Sequence, residues 1–233
     1  MLVGDGLTDT KNDNSMKIKV CGLRDIANIR AVSQLDIDLM GFIFFPKSPR
    51  YVLANPNFPR LSKGDTVGDG KPERVGVFVD EMPQKMIRAI YDYGLTAIQL
   101  HGQESRVLCE NLRKTLDPDI CPGIKLIKAI SVKEPADVNR YKVYEGAVDY
   151  FLFDTKCNSA GGSGRHFDWS VLDGYEGDTP FLLSGGIGPE DAVRVRAFHH
   201  PKFAGIDLNS RFEISPALKD IDKLQTFIEQ VRS

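Results

Sequence analysis

The chain has 233 residues, 42% of them hydrophobic and 27% charged. Thirty basic residues against 32 acidic ones leave a formal net charge of -2. That apolar share supports a packed core, near-neutral charge offers no basic footprint for nucleic acid, and no apolar run is long enough for a membrane helix.

Residues 1–15 (MLVGDGLTDTKNDNS) are polar, aperiodic and rich in Gly, Asp and Asn. They lack the basic and apolar stretches of a secretory signal. They are expected to form a disordered leader, with Met16 as a plausible native start and residues 16–233 as one catalytic domain. Four cysteines, Cys21, Cys109, Cys121 and Cys157, form no CxxC pair and have no histidine at zinc spacing. Reduced thiols and a cytoplasmic setting are the expectation.

Eight short apolar runs follow: Lys17–Cys21, Leu39–Phe45, Arg74–Val79, Ala97–Leu100, Ile124–Ile130, Tyr150–Phe153, Phe181–Ser184 and Phe203–Leu208. Helical patterns follow most of them, over Asp25–Leu35, Met82–Tyr93, Glu104–Leu116, Glu134–Tyr144, Pro189–Phe198 and Ala217–Val231. Repeated βα units of this number predict a single (β/α)8 TIM barrel, α/β in class. An open doubly wound sheet is the alternative, but no GxGxxG turn follows the first run. Between Val52 and Glu73, Gly and Pro recur throughout, so the second helix should be irregular or replaced by loop. A second Gly/Ser-rich stretch, Cys157–Arg165, is a candidate ligand-closing loop or a simple linker.

In a barrel, function belongs at the carboxyl ends of the strands. Those ends carry Cys21-Gly22, Pro46–Arg50, Asp80, Gln99 with His101, Asp154-Thr155-Lys156, Gly185-Gly186 and Asp207–Ser210. No three of them cluster as metal ligands. His199 and His200 fall at a helix end and read as surface residues. Gly185-Gly186 is expected to lead straight into a helix, and with the Asn209-Ser210 turn it occupies the loops where barrels commonly hold phosphate. A tight turn without ligand is the plainer alternative. Lys19 shares a face with Cys21 and would favour its thiolate, although a buried Cys is often only a small hydrophobe. Asp154 ends an apolar strand, where burial would favour a neutral acid; a capping aspartate looks the same. Arg50 offers a fork for carboxylate or phosphate, or a solvated surface charge.

At these residues the sequence resembles the phosphoribosylanthranilate isomerase family. The likeness runs through Lys19–Gly22, Gly41-Phe42 with Ser48, Arg50 and Tyr51, Val75–Val79, Gln99–Gly102, Asp154-Thr155, Gly161–Gly164, Phe167–Trp169, Ser184–Gly186 and Ile206–Ser210. The resemblance implies an Amadori rearrangement of N-(5-phosphoribosyl)anthranilate in tryptophan biosynthesis, with no cofactor and no metal. It makes Cys21 the general base and Asp154 the general acid. Arg50 would hold the anthranilate carboxylate, and Gln99, His101 and Asp207 would line the site. Backbone N–H groups of Gly185, Gly186, Asn209 and Ser210 would take the phosphate. The expected partner is a small phosphosugar, with no nucleic acid or membrane, and monomer and homodimer both stay open. Arg211 departs from the family, where glycine is usual, and would shift the phosphate donors or add a guanidinium to them. A related aminoaldose–ketose isomerase and a non-catalytic phosphosugar-binding barrel are the alternatives. Cys21 in place of a strand-one aspartate, and Asp154 beside it, argue against both.

Overall fold

The computed structural model describes residues 16–60, 72–117, 119–155 and 168–233. The expected leader at 1–15 and the Gly/Ser stretch at 157–165 lie outside these residues, as do Lys156 and Cys157. Eight parallel strands close into a barrel in sequence order: β1 (Lys17–Cys21), β2 (Leu39–Ile43), β3 (Glu73–Phe78), β4 (Ala97–Leu100), β5 (Lys125–Val132), β6 (Tyr150–Thr155), β7 (Phe181–Ser184) and β8 (Phe203–Leu208). The closing pair sets Lys19 of β1 opposite Asp207 of β8.

Two cores hold the wall. Inside the barrel, Leu39, Val75, Ala97, Ile127, Ala129, Leu152 and Leu182 pack together. Outside it, the alternate strand residues meet the helices, with Phe151, Phe153, Phe181 and Tyr175 forming a ring cluster of edge-on and tilted contacts. Side chains alternate along a strand, so residues in phase with the inner core point into the barrel. Two steps on from Leu152, Ala97 and Leu182, that phase delivers Asp154, Gln99 and Ser184 to the upper mouth. Lys19 and Cys21 join them, because Lys19 pairs with Leu39 in the ladder.

The helices are shorter than the apolar patterns predict. α1 is Ile26–Val32, with Asp25 capping it through Asn28 N–H at 2.8 Å. α2 (Pro83–Tyr93) starts at Pro83 and stops at Gly94 in the left-handed region, burying Met86, Ala89 and Ile90. α3 (Arg106–Leu116) is capped by Ser105 and buries Cys109, Leu112 and Leu116. The pattern over Glu134–Tyr144 resolves into α4 (Pro135–Val138) and a 3-10 turn at Asn139–Val143. The pattern over Pro189–Phe198 becomes a 3-10 turn at Pro189–Asp191 followed by α5 (Ala192–Ala197).

After β2, the described residues hold one 3-10 turn, Val52–Ala54, in keeping with the irregular second-helix region. The expected helix from Ala217 is corrected. A small antiparallel hairpin, β9 (Glu213–Ser215) and β10 (Leu218–Lys219), precedes α6 (Ile221–Arg232). Arg232 then reaches back to Met16 O at 2.6 Å and Asp38 at 3.0 Å, fastening the last helix to the first strands. Among the described residues, no helix is long and apolar enough to cross a membrane.

Candidate active site

Cys21 is buried at the end of β1. A Cβ built on Gly41 would come within 2.6 Å of its Sγ, so only glycine on the neighbouring strand leaves the thiol its space. Lys19 beneath it is wholly buried and donates to Asp207 Oδ1 at 2.8 Å, while Ser184 donates to Asp207 Oδ2 at 3.0 Å. Both oxygens of Asp207 are therefore engaged within the protein.

Burial alone would lower the ammonium pKa of Lys19, but Asp207 and Cys21 together lift it above the ordinary lysine value. Two influences oppose each other at the expected thiolate. Burial pushes the Cys21 thiol above its ordinary value, and the nearby Lys19 and Lys219 only partly pull it back.

Asp154 is the penultimate residue of β6, with 9% of its surface exposed. His101 Nε2 stands 3.6 Å from Asp154 Oδ2, close enough for an ion pair but long for a hydrogen bond. The other ring nitrogen, Nδ1, lies 2.8 Å from Gln99 Nε2. Gln99 is buried, and its Oε1 has no hydrogen-bond partner. Gln99 of β4, His101 just beyond its end and Asp154 of β6 thus form one polar run across the mouth.

Arg50 lies over Gly22, where a φ of +81° disfavours a side chain and an added Cβ would fall 2.6 Å from Arg50 Cδ and 2.7 Å from Asn209 Oδ1. The guanidinium is not open on all sides. Its Nε donates to Glu213 Oε1 at 2.8 Å and its terminal NH2 to Glu213 Oε2 at 2.6 Å. Glu213 raises the Arg50 pKa further, and Arg50 with Lys219 outweighs burial to hold Glu213 below the ordinary glutamate value. Lys219 is buried and donates to Glu213 Oε1 at 2.8 Å, Asn209 Oδ1 at 2.8 Å and Asn209 O at 3.2 Å. Burial lowers its pKa, and Glu213 and Cys21 restore it only in part. Asn28 of α1 fixes the Lys219 backbone through two 2.8 Å bonds.

The glycine turn after β7 differs from its sequence reading. Gly185 and Gly186 both have positive φ, and a Cβ on Gly185 would fall 2.0 Å from Thr155 O. The turn does not run straight into a helix, since Ile187 and Gly188 intervene and a 3-10 turn comes first. Ser210 opens another 3-10 turn, Ser210–Phe212. Arg211 pairs with Glu190, which joins the loop after β8 to the one after β7. Asp80 takes a positive φ and accepts from Gln103 N–H, supporting the loop after β4. His200 is more than a surface residue: Nδ1 accepts from Lys202 N–H at 3.0 Å and Nε2 lies 3.1 Å from Tyr175 O.

Glu213, Lys219 and Asn28 escaped the sequence reading. Their one trace is a glutamate and a lysine flanking Pro216-Ala217, a pattern that a solvated turn also gives. A cavity of about 230 Å³, lined by Lys17, Asp38, Glu73, Lys125 and Tyr150, lies at the opposite, amino-terminal end of the strands. Among the described residues, no group of three or more His, Cys, Asp or Glu is placed to hold a metal ion.

Groups able to exchange protons, gathered at the carboxyl ends of eight parallel strands, define a (β/α)8-barrel enzyme. Its relatives make the class specific. A profile of the N-(5'-phosphoribosyl)anthranilate (PRA) isomerase family matches residues 18–230, and the chain belongs to that family. It is 50% identical over 216 residues to the N-(5'-phosphoribosyl)anthranilate isomerase of Parabacteroides distasonis, covering 93% of each chain. A crystal structure of monomers generated from the dimeric Thermotoga maritima isomerase superposes with a TM-score of 0.73 at 30% identity, covering 94% of this chain and 99% of that one. A phosphoribosyl anthranilate isomerase in complex with reduced 1-(o-carboxyphenylamino)-1-deoxyribulose 5-phosphate superposes with a TM-score of 0.74 at 29% identity, with the same coverage.

Proposed function

We propose that this barrel isomerises N-(5'-phosphoribosyl)anthranilate to 1-(2-carboxyphenylamino)-1-deoxyribulose 5-phosphate, with Asp154 as general acid and Cys21 as general base. The observation that carries the assignment is the placement of both groups at inward positions on strand ends, each with ionisable neighbours.

Asp154 donates its proton to the ribose ring oxygen. The C1′–O bond breaks as the anthranilate nitrogen lone pair forms the iminium. That cation acidifies the C2′ proton, which the Cys21 thiolate removes. The C2′–H electron pair becomes the C1′=C2′ bond, and the C=N pair returns to nitrogen. The enolamine then tautomerises to the ketone, so atoms and electrons balance without an external oxidant. The acid must begin protonated and the base deprotonated. Lys19 and Lys219 favour the thiolate against burial, and the iminium adds positive charge when the base is needed.

Arg50 takes the anthranilate carboxylate. Gln99 and His101 line the reacting sugar, with Asp207 beneath them. The phosphate rests on backbone N–H groups around Gly185, Gly186, Asn209 and Ser210, and this distant grip orients the sugar. Residues 16–233 form the catalytic domain, residues 1–15 a leader outside it, and the protein works in the cytoplasm as a monomer or homodimer.

An assay following loss of the fluorescent anthranilate substrate tests the reading. Cys21→Ser and Asp154→Asn should each lower kcat by roughly 10²–10⁴-fold, the span of general acid–base catalysis. Normal turnover in either variant rejects that residue's role.

A further inference from the structure

The β9–β10 hairpin contributes no group to the proton transfers, yet it carries a buried carboxylate into the mouth. Glu213 is saturated: Oε1 receives Arg50 Nε, Lys219 Nζ and Ala217 N–H, and Oε2 receives the Arg50 terminal nitrogen. An arginine has five N–H donors in a planar fork. Glu213 takes the edge formed by Nε and NH2. The adjoining edge, formed by the two terminal nitrogens, shares only NH2 with the clamp, and its other terminal nitrogen carries no contact with Glu213.

From this geometry we infer that Glu213 is a positioning residue, clamping one edge of Arg50 so that the other edge meets the substrate's carboxylate. It does so over Gly22 and beside Cys21, where the aryl end of the substrate must lie if its sugar faces the thiol. Lys219 completes the device. Its three ammonium donors are spent on Glu213 and the two oxygens of Asn209. One buried ion pair therefore ties the carboxylate grip to the loop after β8, at the phosphate end.

The inference rests on Arg50 as the carboxylate ligand, and the experiment separates the two. Glu213→Gln removes the charge of the clamp. Glu213→Asp keeps the charge beside Lys219 but draws the carboxylate back from Arg50, and it serves if the glutamine variant fails to fold. Each should raise KM at least tenfold, the loss expected when one charge-assisted hydrogen bond is misaligned, with a much smaller fall in kcat. Arg50→Ala should raise KM as well, and the Arg50→Ala/Glu213→Gln double variant should be no worse than Arg50→Ala. An unchanged KM in Arg50→Ala overturns the carboxylate reading, and the clamp with it. A raised KM there, with wild-type KM in Glu213→Asp, overturns the clamp alone. So does a further KM rise when Glu213→Gln is added to Arg50→Ala.

Discussion

Among the described residues, two buried lysine–glutamate pairs sit in this barrel, built from the same chemistry and put to different ends. Lys128 on β5 faces outward from the sheet and meets Glu104 at 2.9 Å under the loop that follows β4. Lys219 on β10 meets Glu213 at 2.8 Å in the mouth. In the first, every contact closes on the fold. Lys128 also donates to Leu100 O and Gly102 O, and Glu104 accepts from the N–H groups of Asp80 and Gly102. In the second, the glutamate also grips an arginine with a second edge to offer. A buried ion pair therefore serves architecture or ligand binding according to what else its carboxylate holds.

The largest expected effect tests the architectural pair. Glu104→Gln strands Lys128 in the protein interior and should cost about 3–5 kcal/mol of stability at neutral pH, the usual loss when one partner of a buried pair is removed. KM should stay unchanged, in contrast to the Glu213 variants. The pH dependence fixes the cause. Burial alone would raise the Glu104 pKa, but Lys128 and the backbone donors hold it below the ordinary glutamate value. The charged carboxylate therefore stabilises the fold above the unfolded pKa, and that contribution fades as pH falls through the folded one. The gap between wild type and variant should narrow in urea titrations carried below that range. A gap that stays constant would show that shape, not charge, is what Glu104 supplies.

A smaller effect tests how the second pair is held. Asn28→Ala removes the two bonds that fix the Lys219 backbone and leaves a buried N–H and C=O without them. Stability should fall by about 1–3 kcal/mol. KM should rise, but less than in Glu213→Gln, because Glu213 keeps its own bonds to Arg50. Lost stability with unaltered KM would uncouple α1 from the carboxylate grip.

The contrast between the pairs also explains what the sequence could convey. Strands such as Lys17–Cys21, Ala97–Leu100, Phe181–Ser184 and Phe203–Leu208 were legible to the residue, because a wall buried on both faces demands short unbroken apolar runs. Helix lengths were not, since tertiary packing ends α1 and α5 before their patterns run out. Cys21 and Asp154 were legible because strand order places them at one end of the barrel. Glu213 and Lys219 were hidden because a charge in a polar turn is ordinarily solvated, and only the folded barrel brings the hairpin's Glu213 to Arg50. Lys19 was legible by strand parity, but the burial that opposes its pull on Cys21 was not, because a two-residue period says nothing about desolvation.

A third pair, Arg211 with Glu190, sets the lower end of the scale. Both side chains are about half exposed, and they bridge the loops after β8 and β7. Water screens such a pair, so Arg211→Ala should cost no more than about 1 kcal/mol in stability, and less at high salt. Its effect on KM carries more information. Were the guanidinium a phosphate ligand, its loss would remove a charge-assisted bond and raise KM tenfold or more. Glu190 already holds that guanidinium, and a phosphate would have to displace a carboxylate to recruit it. The expected KM change is therefore below about threefold, the scale of an exposed charge. A tenfold rise would instead assign Arg211 to the phosphate, taking the role that the usual glycine leaves to backbone N–H groups. Glu190→Gln would then lower KM by freeing the arginine, whereas it should leave KM unchanged if the pair only ties the two loops together.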